Sequence, residues 1–178
     1  RYHPDVDGIV GPLLTGPCDV IAQSALDPGL LPFFTEADDT GLLQTHIQSG
    51  TIFEHLAFGV DSFGEYGDGN GRPDWFQDVR VRQALAMCTD RQSLMEQTMY
   101  GQSEVWHGYA SPNHPLHPAD AAEWPYDVAA ANALLDEVGY QDRDGDGIRE
   151  DPASGTPFAI ELITSLGGEL RQQMTAVI

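Results

Sequence analysis

Val79-Arg80-Val81-Arg82-Gln83-Ala84-Leu85-Ala86-Met87-Cys88-Thr89-Asp90-Arg91 is the stretch on which the reading of this chain turns. Val81, Ala84, Leu85 and Cys88 fall at i, i+3, i+4 and i+7, the spacing that gathers apolar groups on one helix face. Asp78 stands where an N-cap belongs, its carboxylate placed to accept a backbone N–H of the first turn. Asp90 stands in the same relation to a second helix carrying Leu94, Met95, Thr98 and Met99, which Gly101 stops. Two capped helices in series are predicted, the first packed on its Val81 face with Cys88 buried near its end.

Outward from this pair, turn residues and periodicity divide the chain. The segment to Gly16 is loop-like with an apolar pulse at Ile9, Val10, Leu13 and Leu14, and Gly16 to Ala22 reads as a turn feeding a short strand. Glu36 to Gln48 carries Leu42, Leu43 and Ile47 at helical spacing and stops at Ser49-Gly50. Thr51 to Val60 predicts a strand with Ile52, Glu54, Leu56 and Phe58 on one face and Phe53, His55 and Ala57 on the other. Gly64 to Asp74 is a surface loop. A long connection with four prolines runs from Gly101 to Pro125. Asp127 then caps a helix that turns Val128, Ala131, Leu134, Leu135 and Val138 inward and ends at Gly139. Phe158 to Ile163 predicts another strand, and a last helix starts at Glu169. Strands alternating with helices indicate an α/β or α+β unit, a mixed sheet flanked by helices.

A chain of 178 residues, 41% hydrophobic and 9% aromatic, supports one globular core. Its 28 acidic against 8 basic residues give a formal charge of −20. Such a surface repels phosphate, which argues against nucleic acid and anionic membranes as partners. It reads as a soluble extracellular surface, or an acid- or salt-adapted one, rather than as a device for a cationic ligand. No apolar run reaches the roughly 18 residues of a membrane span, and no signal peptide or lipidation motif is visible. RYHPDVDG at the start and MTAVI at the end read like the interior of a longer chain. Cys18 and Cys88 leave two readings open, a disulfide in an oxidising compartment or two small buried thiols.

The blocks of this sequence resemble those of the extracellular solute-binding proteins that serve oligopeptide, dipeptide and nickel ABC importers. VRVRQAL…TDR is similar to the D-V-R-V-R-Q-A-L-x-x-x-x-D-R motif of that family. Leu14 to Val20 resembles its sG-x-x-D-v turn. Phe53 to Gly59 resembles its y/wE-x-l-x-F-N strand, with Gly59 where Asn is usual. Tyr126 to Tyr140 resembles its yD-x-x-k-A-x-x-L-L-x-e-a-G-y helix, and Asp142 to Asp151 its D-x-D-G-D-G-I-r insert. The next strand, Gly155 to Ile163, follows in the family's order. The resemblance implies a periplasmic-binding-protein-like lobe. Residues 1–178 would form a single partial domain, most of the second lobe of a protein that closes over a peptide or related small solute. It implies an extracytoplasmic location, a membrane ABC permease as partner, and a first lobe that this sequence does not contain. The family's W-x-x-D-Y-x-D-P segment is also absent. By the same resemblance, ligand contacts are expected at strand ends facing the cleft, Gln23 and Ser24 after the first strand and Thr164 and Ser165 after the last.

Asp142, Asp144 and Asp146 with Gly147 match positions 1, 3, 5 and 6 of a calcium loop, where hard oxygens converge around a sharp turn. The twelfth position is Ala153, so Glu150 or Asp151 would have to close the site. Calcium, if bound, would be structural, and a stand-alone acidic calcium-binding module is the alternative to solute binding. An acidic turn without an ion is the plainer reading. His107, His114 and His117, with Asp120 and Glu123, offer ligands for zinc or nickel, but they lack the i, i+4 spacing that aims two imidazoles at one point. Glu54 and His55 point to opposite strand faces and make no dyad. Arg80, Arg82 and Arg91 are expected to pair with Asp78, Asp90 or another carboxylate rather than with a ligand. No nucleophile elbow, phosphate loop or HExxH is present, so no enzyme activity or required cofactor is expected.

Overall fold

The computed structural model describes residues 7–22, 28–48, 50–60, 73–165 and 168–178. Among them lie six α-helices: α1 (Asp7–Thr15), α2 (Leu31–Asp39), α3 (Val79–Cys88), α4 (Arg91–Met99), α5 (Val128–Val138) and α6 (Glu169–Val177). The capped pair forms as its sequence predicts. Asp78 accepts from the Arg80 amide at 2.8 Å, and Asp90 from the Ser93 amide at 2.9 Å. Tyr100 (φ 52°) and Gly101 (φ 73°) adopt the left-handed conformation that ends α4.

The core sits where α3 lies against α5. Val81, Ala84 and Ala131 are fully buried, and Leu135, Tyr140, Trp75 and Phe76 close around them. Alanine on both helices lets the backbones approach closely, and burying Val81 stabilises the contact by roughly 1.5–3 kcal/mol. Phe58, Leu85, Met87, Leu134, Val138 and Phe158 pack around the rim. The Asp127 side chain caps α5 through the Ala130 amide at 2.9 Å, while its own N–H donates to the Met87 carbonyl at 2.9 Å. One residue thus starts α5 and ties it to the end of α3.

Four expectations are corrected. Cys88, at the last position of α3, is exposed; Cys18 and Cys88 are both free thiols. Val128, in the first turn of α5, is 43% exposed. The opening segment is helical as α1 despite Pro12, with Ile9, Val10 and Leu13 half-buried, so packing of the apolar pulse outweighs the proline. The helix expected over Glu36 to Gln48 lies earlier, at Leu31–Asp39. Gly41 (φ 72°) turns the chain, and the Leu42 and Leu43 amides both donate to the Ala37 carbonyl instead of continuing it.

The predicted mixed sheet is not built as a ladder among the described residues. Two isolated antiparallel bridges, Gln141 with Glu150 and Glu150 with Pro157, are the β-pairing there. A strand exists only through its neighbours; among the described residues the Phe158 amide reaches the Arg149 carbonyl at 2.7 Å, but no ladder extends along residues 51–60 or 158–163. Their outward side chains are correspondingly bare: Ile52 is 86% exposed and Ile163 79%. The predicted alternation survives in one respect. Phe58 packs on the core ring of Phe76 at 5.2 Å, whereas Phe53 and His55 gather elsewhere.

Candidate functional site: the acidic loop and the segment-end residues

Between α5 and the bridge at Glu150, residues 142–150 wind into a loop that its own carboxylates hold. Asp142 accepts from the Gly145 and Gly147 amides at 2.6 and 2.9 Å, Asp144 from Asp146 at 3.1 Å, and Asp146 from Ile148 at 2.7 Å. Glu150, buried, accepts from the Arg143 amide at 2.8 Å. Gly145 (φ 83°) and Gly147 (φ 90°) occupy the left-handed region, which residues with a Cβ rarely adopt. The outcome is convergence: carboxylate oxygens of Asp142, Asp144, Asp146 and Glu150 lie within 4.8 Å of one another. Hard oxygens at this spacing can hold a calcium-sized cation.

Asp151, the alternative closing residue, does not belong to this group. Its carboxylate is taken up on the far side of the bridge by the Ala153 and Ser154 amides, the Ser154 hydroxyl and the Tyr140 hydroxyl. Burial pushes the Asp151 carboxyl up, but the bonds from Ser154 and its neighbours outweigh this and hold it below the usual range. Next to the loop, a cavity of about 600 Å³ is lined by Asn132, Asp136, Gln141, Asp142, Gly147 and Arg149. Arg149 bridges it to α5, donating to Asn132 at 3.1 Å and pairing with Asp136.

Of the residues expected to touch ligand, Thr164 and Ser165 are among the described ones. Gln23 and Ser24 lie outside the described residues. Thr164 is half-buried, and Ser165 is exposed and accepts from Arg171 at 3.1 Å. Arg171, on α6, also grips both carboxylate oxygens of Glu54 at 2.8 and 3.0 Å. Glu54 thus faces α6 while its neighbours face away, as the alternation requires. The Phe53 ring lies 5.4 Å from that of Trp106 and 5.7 Å from that of Tyr109; His55 joins the group at 5.5 Å from Phe53. Sequence reasoning passed over both the Arg171 clamp and this ring cluster. The i, i+2 spacing of Phe53 and His55 was a usable signal for the rings; Arg171 carried none, since its partner is 117 residues away.

The three connection histidines are not gathered into a metal site; the acidic loop is the metal-competent group among the described residues. His114 accepts from the Leu116 amide at 3.1 Å, and His117 Nδ1 lies 3.0 Å from the Ala110 carbonyl. Arg80 pairs with Asp78 and Glu137, as expected. Arg82 and Arg91 differ from expectation. They donate to backbone carbonyls, Arg82 to Phe76 and Gln77 and Arg91 to Trp124, and so tie α3 and α4 to the segments that precede α3 and α5.

The described residues thus form helices on a small core, with an acidic loop following α5. Residues 1–178 match throughout the family model for bacterial extracellular solute-binding proteins, family 5 middle, and the chain belongs to that family. It is 33% identical over 112 residues to the oligopeptide-binding protein AppA of Bacillus subtilis, a match covering 61% of this chain and 20% of that protein. A nickel-binding periplasmic protein of Escherichia coli is 30% identical over 101 residues, 57% of this chain and 19% of its own. A probable ABC transporter-binding protein of Deinococcus radiodurans is 29% identical over 163 residues, 90% of this chain and 25% of its own. The chain therefore spans about a fifth to a quarter of the length of these relatives.

Among solved structures, AppA in complex with a nonapeptide matches with a TM-score of 0.54 at 33% identity, covering 59% of this chain and 21% of that one. The oligopeptide-binding protein of Thermus thermophilus with a pentapeptide matches at 0.52 and 29% identity, covering 57% and 17%. The matched part of the chain shares its fold with solute-binding proteins. No described helix is long and apolar enough to cross a membrane.

Proposed function

We propose that residues 1–178 are part of the second lobe of an ABC importer's solute-binding protein, which captures a peptide or related small solute and delivers it to a membrane permease. The observation that carries this reading is the family match over residues 1–178, joined to likeness with two proteins solved around peptides. The work is binding without chemistry, done outside the cytoplasm by closure of two lobes. Residues 51–60 and 158–163 act as strands of the lobe's mixed sheet, and Gln23, Ser24, Thr164 and Ser165 reach the ligand from strand ends. Polar groups at such ends suit the hydrogen-bonding pattern of a peptide backbone.

Calorimetric titration of the full-length gene product with pentapeptides and nonapeptides tests the reading. Saturable heat at one site is expected, weakened by replacing Thr164 and Ser165 with alanine. Absence of heat with every peptide, together with binding of a sugar or a metal alone, would sink the peptide reading and leave solute binding standing.

The acidic loop supports a second reading, that Asp142, Asp144, Asp146 and Glu150 hold a structural calcium ion. Their convergence within 4.8 Å favours it. An ion there would brace the connection between α5 and the Glu150 bridge whether or not solute is bound.

A further inference from the structure

The chain contains no lysine, and its eight arginines face 28 carboxylates. Among the described residues the ion pairs engage four carboxylates, those of Asp78, Glu137, Asp136 and Glu54. Arg82 and Arg91 are spent on backbone carbonyls. By composition alone, carboxylates outnumber arginines by twenty, 28 against 8.

Their placement adds to the repulsion. Helix α2 closes on Glu36, Asp38 and Asp39, at the end where the helix dipole is already negative. No described helix has a basic residue in its last turn. Four more carboxylates crowd within 4.8 Å in the loop. Against this stands a small core, in which Val81 is the large side chain fully buried.

We propose that this chain is built to fold in concentrated salt, and that its folded state is lost as ionic strength falls. The screening length is about 10 Å at 0.1 M salt and about 3 Å at 1 M. At the lower concentration the loop carboxylates, whose oxygens lie within 4.8 Å of one another, repel well inside the screening length. At the higher concentration charges more than about 3 Å apart are already largely screened. The uniformly acidic surface then keeps the molecule hydrated and soluble where a neutral one would salt out. This inference is independent of which solute is carried.

Thermal melts of the full chain followed by circular dichroism, in EDTA and NaCl from about 0.1 to 2 M, test it. The midpoint is expected to climb by about 10 °C or more and to level off near 1 M. A second protein carries Asp19→Asn, Glu36→Gln, Asp39→Asn, Asp120→Asn, Glu123→Gln and Glu161→Gln, all at exposed positions. It should melt cooperatively at low salt with a much flatter dependence. Equal slopes in the two proteins, or a flat profile in the natural one, overturn the proposal. Sucrose at matched osmolality supplies exclusion without screening and serves even if the variant does not fold. If sucrose restores the low-salt midpoint as well as NaCl does, charge is not the cause and the proposal is wrong.

Discussion

Tyr140 donates its hydroxyl to Asp151 across 3.2 Å, a buried pair that joins the end of α5 to the turn after the Glu150 bridge. Burial, with the adjacent Asp151 charge, pushes the Tyr140 phenol up to about 12 from its usual 10.0. A raised folded-state value means stability that is complete below the unfolded value and lost as pH climbs through the folded one. Unfolding free energy should therefore fall between about pH 10 and 12. Tyr140→Phe should cost about 1–2 kcal/mol in urea denaturation at neutral pH, the Ser154 bonds still holding Asp151, and should remove this alkaline limb.

At the start of α3 the sign reverses. The hydrogen bond from Arg80, opposed by partial burial, holds the Asp78 carboxyl below its ordinary 3.8. A depressed value gives stability present above the unfolded pKa and lost as pH falls through the folded one. Asp78→Ala should cost about 1 kcal/mol near neutrality, mostly as the lost cap, because the Arg80 pair is partly exposed and worth little. Asp78→Asn keeps a capping oxygen and should cost less. Urea titrations at pH 7 and pH 3 should show the difference between Asp78→Ala and the natural chain shrinking in acid.

Gly139 ends α5 at φ 103°, and a Cβ there would lie 3.2 Å from Pro152 Cβ. Gly139→Ala combines backbone strain with that close approach and should lower stability by about 1–3 kcal/mol. Because Pro152 directly follows Asp151, the same substitution should weaken the Tyr140–Asp151 bond, visible as a smaller alkaline limb.

What could be read from sequence was whatever local chemistry decides. Asp78, Asp90 and Asp127 as caps, Gly139 and Gly101 as stops, and the Val81–Ala84 and Ala131–Leu135 faces all depend on neighbours within one or two helical turns. What failed depended on distant partners. Leu42, Leu43 and Ile47 show helical spacing, but Gly41 had already turned the chain. Cys88 sits at the apolar spacing of α3, yet at the helix's last position it is exposed. Residues 51–60 alternate as a strand should, and their pairing into a sheet is a matter of partners that alternation does not name. In the loop, the aspartates at 142, 144 and 146 were legible because they cap their own turn. Choosing Glu150 over Asp151 needed the bridge to Pro157, which turns alternate side chains to opposite sides.

That choice makes the calcium reading testable by an asymmetry between two adjacent carboxylates. Glu150 converges with Asp142, Asp144 and Asp146, whereas Asp151 is committed to Ser154 and Tyr140. With free calcium at about a hundred times its dissociation constant, a bound ion should stabilise the fold by about 2.7 kcal/mol, reversed by chelator. Glu150→Gln and Asp144→Asn should each blunt that response by removing a charged oxygen from the cluster. Asp151→Asn should lower stability with and without calcium by the same amount and leave the calcium increment intact. Melts at constant ionic strength separate this from general screening, since a specific site saturates at low calcium while magnesium, smaller and reluctant to shed water, should substitute poorly. If Asp151→Asn abolishes the increment and Glu150→Gln does not, the loop's ligand set is not the one its geometry assembles.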